Sequence, residues 1–401
     1  MNASPGDLTL EWVDGLPELQ ALAQEWDALV TRTDAVIFLS PRWLFAWWPI
    51  LGAGRPLTAL IARRNGSLVG ILPFMIDTVW VGPIPLRVAR WAATDPNCMV
   101  LTLPIDPGLA APLLARACAD LLDTKGCSAV CLTPVSDRAT FLPDLRQLAT
   151  QPDLIVTDEP QGSHVMFDLP ASFDDYTASQ LTNKRRGQLR REMTALTAEY
   201  AMTDHSFIPT PTQFDDFVTF HNLQWQAQNK GGHFSDWPDS AAVYRAMIPH
   251  SAPDHGLIFY AQTGTSGALA TQLCLTSGRT SHWRLPARTL DPRADKLSIG
   301  KIGMILMIQA LIAQGVTSIE GGRGEYDYKT AHGGQNIPVH RILISRPGAI
   351  ARLKLRLLRG WSDILDFAYY RVWFKKLSPV IRQKTGLPAR PLWRIWIRSR
   401  L

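Results

Sequence analysis

The chain has 401 residues and is nearly half apolar, too long for one ordinary core, so its length favours two domains of roughly 150–200 residues each. The formal charge of +6 is unevenly placed: from Arg346 onward 14 Lys/Arg stand against Asp363 and Asp366, leaving 27 basic and 33 acidic residues before them, so a slightly acidic body carries a strongly basic tail. The five cysteines (Cys98, Cys118, Cys127, Cys131, Cys274) form no C-x-x-C pair and no paired ligand spacing, which argues against a disulfide scaffold or a metal module and for a reduced cytoplasmic protein with thiols in its core. The opening MNASPGDLTLEWVDG has no basic segment leading into an apolar run, so it signals neither secretion nor organelle import.

Taken in chain order, 16–31 places Leu19, Leu22, Trp26 and Leu29 at helical spacing, and 38–52 offers Ser40 as N-cap with Pro41 at the first helical position. Strands follow at 57–63 and 68–76, joined through Asn65-Gly66, a strong hairpin signal. A helix at 109–123 leads to 127–135, which reads as a strand buried on both faces. After 152–170 the pattern starts again: a basic helix at 183–199, a helical stretch at 212–229, strands at 256–262, 267–276 and 279–287, a helix at 299–314 and a strand at 316–321. The second half repeats the first in outline, a mixed α/β layout best described as an internal architectural repeat. Two apolar stretches fail as membrane spans: 68–86 is broken by Pro73, Asp77, Pro83 and Pro85, and 299–316 is short and carries Lys301 and Gln309.

Three segments could carry chemistry. In 181–196 the apolar stripe of Leu189, Met193 and Leu196 leaves Lys184, Arg186, Arg190 and Arg191 off the core side, either as a solvated face or as a site for an anion such as phosphate or a sugar nucleotide. Ser298, Ile299, Gly300, Lys301 and Gly303 open a helix whose first amides suit a pyrophosphate, although small residues there also serve as caps and packing devices. Glu320, Glu325, Tyr328 and Lys329 gather at a strand end, where ligands collect in α/β folds, or else decorate a solvated glycine turn. Neither GxxxxGK[ST] nor GxGxxG occurs, so that turn is not a nucleotide-phosphate loop. His221 and Trp225 share a helical face before a Gly231-Gly232 turn, as a core edge or a pocket lining. HxxxH, HExxH and GxSxG are absent, and no protein-bound metal is expected.

In order along residues 10–345, these segments resemble the CelD-like acyltransferases, a GNAT-type family associated with bacterial cellulose and exopolysaccharide biosynthesis and related to the FemAB aminoacyl transferases. The resemblance is carried by 39-LSPRWLFAWW-48, by 182-TNKRRGQLRR-191, by His221, Trp225, Gly232 and Phe234, and by 320-EGGRGEYDYKTAHGG-334. Glu320 and Glu325 stand where Asp is usual and His332 where an aromatic is common, and 296-KLSIGKIGM-304 does not meet the usual acyl-CoA signature.

What the resemblance implies is two tandem GNAT-like domains with mixed, largely antiparallel sheets, at 1–160 and 161–345, followed by a basic, Trp-rich helical tail at 346–401. The implied reaction moves an acyl group from acyl-CoA (acetyl-CoA) to an amine or hydroxyl of a cell-envelope or exopolysaccharide precursor. Glu325 is the implied general base with Glu320 behind it, and Tyr328 an acid or orienting group. Oxyanion donors would come from strand 267–275 if it bulges around Ala270 and Thr271. The helix start from Ser298 to Gly303 would hold the cofactor, and Lys184, Arg186, Arg190, His221, Trp225 and Lys329 the substrate. An aminoacyl-tRNA-dependent transferase and a non-catalytic polysaccharide assembly factor are the competing readings. The tail, with Trp361, Trp373, Trp393 and Trp396 among its basic residues, suits an anionic membrane surface at the inner face, with nucleic acid as the electrostatic competitor and no specific DNA binding expected.

Overall fold

The computed structural model describes residues 8–228 and 232–385; Gly231 of the expected turn and Trp393 and Trp396 of the tail lie outside them. In chain order the elements are strand β1 (Leu8–Asp14), helices α1 (Leu16–Ala21), α2 (Ala23–Thr33) and α3 (Pro41–Leu51), strands β2 (Leu57–Arg64), β3 (Ser67–Val81) and β4 (Ile84–Trp91), helix α4 (Ala110–Asp123), strand β5 (Ala129–Ser136), helix α5 (Leu142–Gln147) and strand β6 (Ile155–Asp168). There follow α6 (Phe173–Gln180), α7 (Asn183–Tyr200), β7 (Thr203–Phe207), α8 (Pro211–Gln226), α9 (His233–Asp236), α10 (Pro238–Met247), β8 (Gly256–Gly264), β9 (Gly267–Ser277) and β10 (Thr280–Arg288). The chain continues through α11 (Pro292–Lys296), α12 (Ile299–Ala313), β11 (Ser318–Arg323), α13 (Asp327–Thr330), β12 (Gln335–Ser345) and α14 (Ala349–Asp366).

Local chemistry accounts for several of these boundaries. Ser40 Oγ accepts the Trp43 amide at 3.2 Å with Pro41 opening α3, and Thr210 and Gln213 exchange reciprocal bonds of 3.2 and 2.9 Å at the start of α8. Between β2 and β3, Asn65 and Gly66 both take positive φ, 52° and 81°, the backbone that a two-residue hairpin turn requires.

The chain packs as two units, one of residues 8–163 and 337–378, the other of 164–336 and 379–385. In the first, β1, β2, β3 and β4 run antiparallel in sequence order; the chain then crosses through α4 so that β5 lies parallel to β4. In the second, β7, β8, β9 and β10 are antiparallel in the same way, and the crossover through α12 sets β11 parallel to β10. Each unit is therefore one copy of a mixed, largely antiparallel design, a tandem arrangement in the α/β class.

The division differs from the three segments read from the sequence. Val339–Ile344 of β12 pair with β5, and Leu355 and Leu358 of α14 fill a cluster with Val79, Leu86, Val88, Ala129, Cys131 and Leu343, so 337–378 belongs with the first unit. Ion pairs reinforce the docking: Arg359 meets Glu159 at 2.7 Å, and Asp363 meets Arg341 at 3.3 Å. Among the described residues no helix is long and apolar enough to cross a membrane; α12 is apolar because it is packed inside the second unit.

Gly303 shows how close that packing is. A methyl there would stand 2.6 Å from Gln262 Oε1 and 3.0 Å from both Ala270 Cβ and Gln272 Nε2, and both glutamines are fully buried. Overpacking of this kind costs about 1–3 kcal/mol. Gly303→Ala is expected to lower the thermal midpoint by several degrees; an unchanged midpoint would mean that the helix can lift without cost.

Candidate active site

The site begins where two parallel strands part. β10 and β11 pair over Thr280–His282 against Ser318–Glu320, and beyond His282 that pairing ends. The far edge of β10 is taken by α8: the Pro286 carbonyl accepts from His221 Nδ1 at 2.9 Å, and the Arg288 amide donates to Gln224 Oε1 at 2.9 Å. β11 stays paired with β6 along its other edge, from Ser318 opposite Asp168 to Arg323 opposite His164. A fork is left between Trp283–Leu285 and Gly321–Arg323, and β10 carries an extra residue there, Arg284, between Trp283 opposite Cys274 and Leu285 opposite Leu273.

This corrects the expected source of oxyanion donors. Ala270 and Thr271 lie in regular register between β8 and β10, opposite Gln262 and Arg288 and opposite Ala261 and Ala287, so their main chain is committed to the ladder. Along β9 and β10 the irregularities fall instead at Leu269 and at Arg284; Arg284 faces the fork, as does a further shift in β11 between Glu320 and Arg323. Gly303 likewise faces the sheet rather than the helix mouth.

Lys329 reaches the fork from α13. The glycines before it, Gly322 and Gly324, hold φ of 85° and 99°, which bends the chain back over the strand end. Its ammonium donates to the Gly321 carbonyl and lies 4.8 Å from the Trp283 ring, 4.6 Å from Tyr326 and 5.7 Å from Tyr328. Such a cage stabilises a cation through the ring faces while excluding the water that would solvate it. Burial wins: despite the opposing pull of the Glu320 carboxylate, the Lys329 pKa is drawn down to about 8.

Glu320 is buried on β11 between two equally buried histidines. Its Oε1 lies 3.1 Å from His164 Nδ1 and accepts the Gly322 amide at 2.9 Å, while His282 Nδ1 stands 3.6 Å from Oε2. Burial alone would raise its pKa, but the imidazole N–H groups of His164 and His282 outweigh it and hold the carboxyl well below its ordinary range. Burial keeps His282 below its own ordinary value, so a neutral ring faces an ionised carboxylate. A carboxylate so stabilised is a weak base. Glu325, by contrast, is exposed on the loop, and the half-exposed Tyr328 packs edge-on against Trp283, its phenol held above its ordinary pKa first by burial and then by Tyr326.

A second cluster collects positive charge at the start of α12. Helix geometry leaves the Ile299 and Gly300 amides without intrahelical acceptors, whereas Lys301 and Ile302 donate to the Ser298 carbonyl at 2.8 and 3.0 Å. Ser298 sits at φ 58°, its hydroxyl donating to Glu192 Oε1 at 3.1 Å, and Ile299 is buried. Arg185 donates to the Ala331 carbonyl, and His332 donates from Nδ1 to the Tyr328 carbonyl at 2.6 Å. Burial first, then the charges of Arg185 and Lys301, keep His332 below its ordinary pKa. Lys301, Arg185 and His332 therefore share one neighbourhood beside the helix start.

The remaining expected ligands scatter. The Arg186 guanidinium donates to the carbonyls of Thr177, Ala178 and Leu181 at 3.1–3.2 Å, closing the end of α6, so it is a capping group rather than an anion ligand. His221 spends both nitrogens, Nδ1 on Pro286 and Nε2 as acceptor of the His233 amide at 3.4 Å; burial lowers its pKa to about 4 and it stays neutral, which corrects its assignment to substrate. Trp225 packs on Gly232, and Lys184 and Arg190 are exposed along α7. Sequence reasoning passed over Trp283, Tyr326, His164, His282, Arg185 and His332 as ligands. The legible signal for two of them is a histidine inside an otherwise apolar strand, in 163-SHVMF and 281-SHW, since a buried polar ring demands a partner.

Among the described residues no group of three His, Cys, Asp or Glu side chains could hold a metal ion. No curated protein sequence matches the chain. In fold it is similar to FemX, at 11% identity, with 79% of this chain and 95% of that one covered and a TM-score of 0.56. It is also similar to a conserved protein of unknown function from Bacteroides thetaiotaomicron VPI-5482, at 14% identity, with 84% and 100% covered and a TM-score of 0.50. At such identities the likeness is one of fold. Residues 183–330, which hold the fork, Lys329, Glu320 and the start of α12, match the acetyltransferase (GNAT) domain.

Proposed function

We propose that the protein is a CelD-like acyltransferase that moves an acyl group from acyl-CoA to an amine or hydroxyl of a cell-envelope or exopolysaccharide precursor. The observation that carries this reading is Lys329, a buried amine with a pKa of about 8, caged at the fork between β10 and β11 inside the segment that matches a GNAT domain. In the proposed step the acyl carbonyl lies along β10 at Arg284, where main-chain amides stabilise the oxyanion. The acceptor attacks the carbonyl carbon, neutral Lys329 takes its proton, and collapse breaks the carbon–sulfur bond. The departing thiolate takes that proton back as the thiol, so the amine is regenerated.

The acyl-CoA phosphates are assigned to Lys301, Arg185 and the Ile299 and Gly300 amides, and Glu325, at the exposed mouth, to orienting the acceptor. The reading places the protein in the cytoplasm, at the inner face of the membrane. Glu325→Gln separates two proton routes: turnover within about threefold of wild type is expected if Lys329 carries the proton, and a loss of about two orders of magnitude returns the role to Glu325.

A second reading, transfer from an aminoacyl-tRNA, is favoured by Lys184, Arg190 and Arg191, which stand exposed along one basic helix. Calorimetry of the full chain with acetyl-CoA and longer acyl-CoAs tests the first. Saturable binding weakened by Lys301→Glu is expected; binding of tRNA with none of acyl-CoA favours the second, and binding of neither leaves a non-catalytic assembly factor.

A further inference from the structure

Helix α14 has three faces, and among the described residues only two of them meet partners. Leu355, Leu358 and Ser362 of α14 are buried on the docked side. A second side carries Arg352, Arg356, Arg359 and Asp363, with Arg359 and Asp363 also reaching back to Glu159 and Arg341. The third side runs Ile350, Leu353, Leu357, Gly360, Ile364 and Phe367, spaced three and four residues apart, and so forms one stripe along the helix. Ile350 is 73% exposed, Leu353 57%, Ile364 58% and Phe367 57%.

A continuous apolar stripe of this length in water is costly unless something covers it. Its neighbour on the helix is the arginine-bearing side, and the residues after Phe367 continue the basic excess with Arg371, Lys375 and Lys376. Apolar side chains flanked by cations at one helical surface suit a bilayer interface, where the apolar stripe enters the acyl boundary and the cations meet lipid phosphates.

We propose that the outward face of α14, from Ile350 to Phe367, is a docking surface for an anionic lipid bilayer, with Leu353 and Ile364 inserted and Arg352 and Arg356 on the phosphates. The face rests on the cell-envelope reading only in the choice of lipid as occupant; it requires no acyl transfer, and acyl-CoA binding by calorimetry is expected to be the same with and without it.

Sedimentation of the full chain with vesicles tests it, comparing pure phosphatidylcholine with a mixture containing about one-third phosphatidylglycerol. The protein is expected to bind the anionic vesicles at least about tenfold more tightly, less so at high salt. Leu353→Asp/Ile364→Asp and, separately, Arg352→Glu/Arg356→Glu are each expected to weaken that binding about tenfold or more, with unchanged circular dichroism because all four side chains are exposed. Absence of vesicle binding, or binding by either double variant as tight as that of the wild type, overturns the proposal. So does concentration-dependent self-association abolished by Leu353→Asp/Ile364→Asp without any vesicle binding, which would give the stripe to a second copy of the chain.

Discussion

Lys329→Met is expected to lower the turnover number by about two orders of magnitude or more while the fold survives. Methionine matches the length of the lysine stem and keeps its apolar contacts with Trp283, Tyr326 and Tyr328, so the cage stays filled, but it carries no proton. Wild-type activity is expected to rise with pH through about 8, as the ammonium loses its proton, and the variant should lack that limb. Stability should rise with pH as well, over a higher window. The folded pKa lies below the unfolded 10.5, so from about pH 8 to 10.5 the unfolded chain binds more protons. The cost of burying the charge is thus complete below about pH 8 and relieved as pH rises toward 10.5. Removing the ammonium should stabilise the protein at pH 7, by at most about 3 kcal/mol, and by progressively less in alkali. Thermal unfolding at pH 7 and pH 10 together with single-turnover kinetics reads both effects. Normal turnover in Lys329→Met would remove the residue from the chemistry.

Glu320→Gln should act at one remove. The carboxylate is buried behind the fork, where it binds the Gly322 amide, and its charge opposes the fall in the Lys329 pKa. Without it the Lys329 value should drop further, so the rising limb of the pH profile shifts toward acid; Lys329→Met, having no limb, should be blind to the same change. The substitution also leaves His164 and His282 facing an amide in a buried site, at a cost of about 2–4 kcal/mol. Because the folded pKa of Glu320 is depressed, its contribution is fully present above the unfolded value of 4.5 and is lost as pH falls from there. Wild type and variant should therefore converge in strong acid. An unshifted pH profile would leave Glu320 a purely structural residue.

Much of the local structure was legible because it depends on neighbours in sequence. Ser40-Pro41 set a helix start, Asn65-Gly66 set a hairpin, and the run of 299–313, apolar but for Lys301 and Gln309, gave a helix closed in on most sides. The repeat was legible for the same reason, since the order of elements recurs. Less visible were β1, β7 and β12. In 203–207 a single apolar residue, Phe207, is too little for a strand to declare itself, whereas 8–14 does alternate Leu8, Leu10 and Trp12 with Thr9 and Glu11 but is short; both are edge strands with one neighbour. β12 pairs with a strand some two hundred residues earlier, and no local pattern encodes such a partner.

The site divides in the same way. Residue type and glycine punctuation drew Glu320, Tyr328 and Lys329 out of 320–334, and helix logic drew out Ser298–Lys301. Composition could not say which of two acids is buried or that His221 pins a strand edge, because each depends on a partner distant in sequence, nor that the basic helix spends Arg186 on capping α6, which depends on how two neighbouring helices turn against each other. Nor could it say that Lys329 sits among three rings and loses its solvation, which gives the amine a pKa suited to proton transfer. By itself the sequence determined the elements, their order and the residue types available for chemistry, since propensity, caps and turns act within a few residues. Only the tertiary structure decided which of those groups are desolvated and which are already committed, since burial and pairing are properties of the packed unit.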